Sequence, residues 1–549
     1  MALASNEEST KLREGEDSMA RYKSYNYAQM KMVAVSYERQ ILPGTFEHTL
    51  NHLIDHDIDL ASFAERYVND ETGAPAYDPA ILLKVILYAY SRGVTSSRDI
   101  AGLCRENIIF MALSADSAPH FTTIAGFVAK LDREIVGVYR EVLLVCDEMG
   151  LIGCEMFAVD GVKMPSNASK EWSGTREDFQ KKAEKLERAL GYLTKRHREA
   201  DATEREGQIE QAREKQMRTL NRALAKVRGW LKTGKDRLGV SGKAVKSNIT
   251  DPESAKMKTS KGVIQGYDGM AVVDAKHQIV VHSEAFGQGQ EHNLLAPVLE
   301  GVRASFKALG RDEDILEGIR VTADAGLHSE VNLQYLQDNK IDGYVADTNF
   351  RKRDPRFAGA ERHRVRHQED KRIEDKKKGK HPGCYTNEDF RMAEDASGCQ
   401  CPAGKTLYRN GERTHTGAYE MVRFRGAQRD CEPCEQRSRC LRTPEKTSTR
   451  QVAFILGRNP QKPETHTERM KRKIDTDEGR YRYSLRLGTV EPVFADINHA
   501  TGLRRFSLRG RRKVSAQWMM YCLAHNIGKI QRYGDIGRWK KERKVEIRQ

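Results

Sequence analysis

Gly318 to Glu330 read GIRVTADAGLHSE. Ile319 and Val321 alternate with polar neighbours, so Arg320 to Ala323 form a short strand by pattern. Asp324 stands where that strand ends. Gly326 permits a sharp turn, and a helix begins beyond it. Open α/β sheets place their working groups at such strand ends. A second reading is also open: Asp324 or Ser329 caps the following helix.

The chain around this stretch has 549 residues and a formal charge of +15, with 31% charged and 7% aromatic residues. That length exceeds one ordinary core, so several domains or large insertions are expected. The basic balance favours a polyanionic partner. No run approaches the roughly 20 apolar residues of a bilayer span, and the polar N-terminus lacks a signal-peptide core. A cytoplasmic protein is expected.

Asp160 repeats the opening motif, closing the apolar run of CEMFAVDG (Cys154–Gly161). Between the two aspartates, Tyr267 to Val273 and Gln278 to Ser283 alternate as an antiparallel hairpin. Arg176 to Leu231 is nearly all charge, with a thin apolar seam typical of a helical hairpin. Upstream, residues 40 to 150 carry helical spacing throughout. Asp78–Pro79 opens AILLKVILYAYSRG, and Ser96 or Ser97 opens the next helix. Downstream, Val490, Phe494 and Ile497 share a helical face, and Ala516 to Ile530 is a closing apolar helix.

Two strand-end aspartates joined by a third carboxylate are what hard divalent cations require in phosphoryl transfer. Glu491, on a helix with Arg486, is the candidate third group; a helical glutamate is also commonly plain surface. The segments FAVDGVKMPSNAS (Phe157–Ser169), VTADAGLHSE (Val321–Glu330) and YRYSLRLGTVEPVFADI (Tyr481–Ile497) resemble the DDE transposases of bacterial insertion sequences. They are most similar to the branch with a helical N-terminal domain and a cysteine-bearing insertion. The resemblance extends from about Tyr77 to about Ile530, its motifs in the family's order.

That resemblance implies an α/β fold: an RNase H-like catalytic core with an all-helical N-terminal domain, a charged helical hairpin insertion and a small Cys-rich insertion. It makes Asp160, Asp324 and Glu491 the catalytic triad, holding two Mg²⁺ or Mn²⁺ ions. It implies double-stranded DNA partners (element ends and target), a homodimer, and cleavage followed by attack of the exposed 3′-hydroxyl. Such a bacterial protein is nucleoid-associated when bound to DNA. Two positions depart from the family pattern. Asn498 replaces a lysine, and His120 follows Pro119 where the family has aspartate.

Six of the ten cysteines fall between Cys384 and Cys440. In a reducing compartment such clustering favours a metal over disulfides. Cys401, Cys431, Cys434 and Cys440 are the candidate ligands of a structural Zn²⁺; Cys399 is an alternative and Cys384 a further one. Free thiols are the other reading. The run Arg504, Arg505, Arg509, Arg511, Arg512 and Lys513, with Arg486, supplies candidate DNA-phosphate contacts, which position a duplex without reading its sequence.

The expected organisation is a flexible N-terminus (1–39), a helical DNA-binding or dimerisation domain (40–150) and the first part of the core (151–350, with a helical insertion at 176–240). A basic and Cys-rich insertion (351–450), the second part of the core (451–535) and a basic tail (536–549) follow. The rivals are a noncatalytic, zinc-stabilised DNA-binding protein derived from a transposase, and a metal-dependent nuclease that cuts without joining.

Overall fold

The computed structural model describes residues 28, 30, 34–66, 75–200, 207–238, 242–260, 262–311, 313–357, 384–412, 414–416 and 418–546. The expected flexible N-terminus and the basic run from Arg351 to Lys380 fall largely outside these residues.

The fold is mixed α/β. Its central sheet contains β1 (Met156–Pro165), β2 (Ala255–Thr259), β3 (Gly262–Asp274), β4 (Val280–Phe286), β5 (Arg320–Ala323) and β6 (Asp342–Val345). The order runs β6-β5-β1-β3, with β4 beside one half of β3 and β2 beside the other. β1, β5 and β6 are mutually parallel, whereas β1 and β3 are antiparallel. β3 is buried along most of its length, since strands flank it and helices cover the sheet. Ala323 pairs with Val159, so Asp324, just past β5, lies level with Asp160; β1 itself runs on to Pro165 along β3, so Asp160 does not close its strand as the sequence suggested.

The residues at 40–150 form helices where their caps predict. The Asp78 side chain accepts from Ala80 N–H, and Ser96 accepts from Asp99 N–H. This helical region is no separate core, however. Its buried residues join those of the sheet in one cluster, through the long helix Arg511–Tyr533. Tyr521 on that helix stacks on Tyr90 at 4.3 Å, and Trp518 Nε1 donates to the Met270 carbonyl at 2.8 Å. A helix apolar on several faces buries against two layers at once.

Helices Arg176–Ala200 and Gly207–Thr233 form the charged hairpin, with Phe179, Ala183, Leu224 and Val227 buried in its narrow seam. The Cys-rich segment has its own sheet and a small core that includes Cys399, Leu407, Val422 and Phe424. One boundary moves. Gln451–Arg458, expected in the second part of the core, pairs along Tyr419–Arg425 and completes the cysteine module. The expected basic tail also differs: Ile536–Glu546 is helical, and buried Trp539 donates to Glu148 at 3.0 Å.

Candidate active site

Asp160 lies on β1 with one carboxylate oxygen held by the N–H of Gly161 at 2.8 Å. Its other oxygen accepts from Arg486 Nη1 at 2.5 Å. The second Arg486 nitrogen lies 3.5 Å from Asp324 Oδ1. One guanidinium thus spans both aspartates, and its side chain is only 9% exposed. Asp324 makes no capping bond to the turn that follows; Ser329 caps the next helix instead. Of the two readings of Asp324, the structure removes the cap.

Burial pushes the Asp160 carboxyl up to about 6; Arg486 and the Gly161 N–H oppose that shift, and the nearby Asp324 adds to it. A carboxyl so placed needs positive charge beside it to stay ionised. Tyr483 is buried under the same guanidinium, with the ring centroid 5.7 Å from Arg486 Cζ.

Arg486 is delivered by helix Asp477–Ala495. Thr476 caps its start by accepting from Gly479 N–H at 3.0 Å. Gly479 is required there, since a Cβ would run into the carbonyl of Lys473. Pro492 interrupts the helical ladder and frees the carbonyl of Gly488. Gln278 Nε2, from the β3–β4 turn, donates to that carbonyl at 2.9 Å. A π-turn, Asp496–Ala500, follows. Packing and these bonds fix which helix face meets the sheet: Gly479, Tyr483, Arg486, Val490 and Val493 are all buried.

Glu491 is not on that face. It is exposed and lies five positions after Arg486, roughly 140° around an α-helix. The structure therefore brings Asp160 and Asp324 together but not the expected third member. Arg486 also departs from its expected role, since its guanidinium turns inward onto the aspartates instead of outward to a duplex.

Two acidic side chains overlooked in the sequence lie close by. Asp268 on β3 is fully buried; no nitrogen or hydroxyl donor reaches its oxygens, and it shares a side-chain hydrogen bond with the Glu291 carboxyl. Burial, and the Glu291 carboxyl beside it, push its pKa well above the ordinary range. Glu291 pairs with Lys163 Nζ at 2.5 Å. Asp268 was legible only as a charged residue in an otherwise apolar strand run.

The basic run after Ile497 is split in its contacts. Arg505 and Arg509 bond Ser166 and Asn167 in the loop after β1. Arg511 pairs with Glu284 at 2.6 Å and Arg512 with Asp132 at 2.9 Å. Arg504 and Lys513 are exposed. In the cysteine module, Cys401, Cys431, Cys434 and Cys440 all line one cavity of about 40 Å³. Cys440 is pushed up to about 11 by burial, and the other three thiols add to the shift. Cys399 is buried in the module's core. Among the described residues, no group of three or more His, Cys, Asp or Glu side chains stands ready-arranged around a metal position.

Residues 400–531 match the family described as transposase DDE domain, and residues 35–130 match the family described as transposase domain (DUF772). Both matches are to transposase families, which supports an insertion-sequence DDE transposase. No curated protein and no solved structure gives a significant match. The DDE-domain match carries the four candidate zinc thiols, Arg486 and Glu491; both aspartates lie outside it. These transposase families indicate transposition. No helix among the described residues is long and apolar enough to cross a membrane.

Proposed function

We propose that this transposase binds the terminal inverted repeats of its element and performs metal-dependent DNA strand cleavage and strand transfer on an RNase H-like core. The observation that carries the reading is the Asp160–Arg486–Asp324 bridge, formed where β5 ends beside Asp160 on the parallel β1. The order β4-β3-β1-β5-β6, with the first three antiparallel in turn and the last two parallel to β1, supports the RNase H-like assignment.

The donor set fits a hard divalent cation. Two carboxylates converge where a cationic side chain is already stabilised, and oxygen ligands suit Mg²⁺ or Mn²⁺. When bound, such ions supply Lewis acidity for phosphoryl transfer. Asp160 and Asp324 hold them, while Arg486 fixes the spacing of the two carboxylates and offsets their charge. Glu491, the third ligand implied by the resemblance, reaches the pair only if its helix turns. Arg504 and Lys513, with the arginines near them, hold DNA phosphates beside the site; two copies of the chain act on paired ends. Cys401, Cys431, Cys434 and Cys440 hold a structural Zn²⁺, a reading supported by their shared cavity and soft thiol donors.

Strand cleavage and joining with candidate element ends and Mg²⁺ or Mn²⁺ test the reading, comparing wild type with Asp160→Asn, Asp324→Asn and Glu491→Gln. Loss of product in both aspartate variants is expected, by about 10²–10³-fold or more. Full activity in both would end the assignment; cut DNA without joined product would indicate a nuclease. The outward position of Glu491 favours one alternative, a DNA-binding derivative without strand chemistry. That alternative predicts end binding by wild type with no cleavage.

A further inference from the structure

The charged helical hairpin is rooted beside the basic run that follows Ile497, and the loop after β1 lies at their junction. Phe506 N–H donates to the Pro165 carbonyl at 2.9 Å, and Asn167 Nδ2 donates to the Ser507 carbonyl at 2.9 Å. Arg505 Nε donates to the Ser166 carbonyl at 3.1 Å, and Arg509 Nε to the Asn167 carbonyl at 2.8 Å. Two lysines approach from the hairpin, one on each helix. Lys182 and Lys226 hold their ammonium groups 4.2 and 4.4 Å from the ring centre of Trp172.

Other cations of these segments are neutralised. Lys181 pairs with Glu177, Arg228 with Glu187, Arg511 with Glu284 and Arg512 with Asp132. Lys182, Lys226, Arg505 and Arg509 differ. Among the described residues none of them forms an ion pair, and their partners are carbonyl, amide or hydroxyl oxygens. Glu171 and Asp251 act on Lys182 and Arg509 at longer range, and Asp251 is already bonded to Tyr267 and the Gly510 N–H. Lys226 is held below the usual lysine range by burial, then by the charges of Arg509 and Lys182. Like charges are thus gathered within a Debye length, about 10 Å at 0.1 M salt. One lysine would serve a cation–π contact with Trp172. A second, with Arg509 beside it, adds repulsion that an anion relieves.

We infer that Lys182, Lys226, Arg505 and Arg509 form a clamp for the sugar-phosphate backbone of double-stranded DNA, with the hairpin as one jaw. The inference rests on the DNA-binding reading above. A duplex is the occupant because the clamp continues from the strand that carries Asp160. Pro165 lies five residues beyond Asp160 on β1, roughly 17 Å at about 3.4 Å per residue. That is about five phosphates along one DNA strand. The clamp therefore holds DNA that flanks the reacting phosphate, through contacts that read no sequence.

The test is binding of a fluorescent duplex of arbitrary sequence by the purified full-length chain over a series of salt concentrations. Lys182→Gln with Lys226→Gln should lower the slope of log affinity against log salt by about 2. At 0.1 M salt that weakens binding by about 10–100-fold. Lys182→Arg with Lys226→Arg should keep the wild-type slope. Arg228→Gln, whose cation is spent on Glu187, should change neither slope nor affinity. Thermal melts check that each variant folds; where the double glutamine variant melts early, Arg509→Gln alone decides, with an expected fall of about 1 in slope. An unchanged slope in the glutamine variants overturns the clamp, and so does an equal loss in the double arginine variant. Polyglutamate that displaces the duplex as readily as unlabelled DNA would overturn a duplex as the occupant. No duplex binding by wild type would instead remove the DNA-binding reading beneath it.

Discussion

The acidic end of the central sheet and the cysteine module gather their candidate ligands in opposite ways. Asp160 and Asp324 come from strands far apart in sequence, aligned by β-pairing, and their charge is offset by Arg486. The four thiols come from one stretch, Cys401 to Cys440, around a shared cavity, and burial with mutual proximity raises Cys440. The first set sits on the largest hydrophobic cluster of the molecule; the second sits on a small one. A large core with internal counter-ions can hold ligands in place before any metal arrives. A small core that held the proposed zinc would draw much of its order from that metal.

The largest expected effect breaks the comparison at the module. Structural zinc contributes on the order of 10 kcal/mol to small zinc-dependent folds. Chelation, or Cys431→Ser with Cys434→Ser, should therefore open residues 384–458 to protease while the central sheet stays resistant. Metal analysis should find zinc in wild type and its loss in the double variant. A module equally resistant with and without chelator would show that both regions stand on packing alone.

Arg486→Gln attacks the other side. Removing one partner of a buried ion pair costs about 3–5 kcal/mol, so chemical unfolding without divalent ion should show a loss of that size. Mn²⁺ should restore part of it by supplying the missing charge. No rescue by Mn²⁺ would mean that Arg486 serves packing alone.

Protons distinguish the regions next. His282 on β4 is buried against Gly301, and burial lowers its pKa from 6.5 to about 4. The fold holds the neutral ring, so its contribution is complete above pH 6.5 and is lost as pH falls towards 4. The difference is on the order of 3 kcal/mol. Urea unfolding at pH 7, 5.5 and 4 should follow that slope in wild type, and His282→Gln should flatten it. The smallest effect concerns the connection between the regions. Thr465 and Glu468 form a capping box at the start of His466–Ile474, with bonds of 3.1 and 3.0 Å. Thr465→Ala should cost about 1 kcal/mol, read as a small fall in the melting temperature.

Much of this architecture was legible locally. The helix starts at Asp78 and Ser96, the β3–β4 hairpin, the charged helical pair and the strand ending at Asp324 all follow from caps and from periods of 2 or 3.6, whereas the strand through Asp160 runs on to Pro165. The pairing of Gln451–Arg458 with the cysteine module was not legible, because strand periodicity names no partner. The merging of the helical region with the sheet was missed for the same reason: the Arg511–Tyr533 pattern declares burial, not against what.

Glu491 is the instructive case. The spacing Tyr483-x2-Arg486-x4-Glu491 already places the first two residues on one helical face and the glutamate on another. The motif named the residues, and the helical repeat argued against grouping all three. What sequence could not supply was which face meets the sheet, since Pro492, Gln278 and the packing of Tyr483 decide it together.

Sequence alone picked out the two aspartates, the thiol cluster and the resemblance to transposases, because each is written in short-range spacing. Only the tertiary structure decided that Arg486 bridges the aspartates, that Glu491 faces away, and that Asp268 and Glu291 stand beside them. Those relations depend on strand register and helix rotation, which are fixed by contacts between segments distant in the chain.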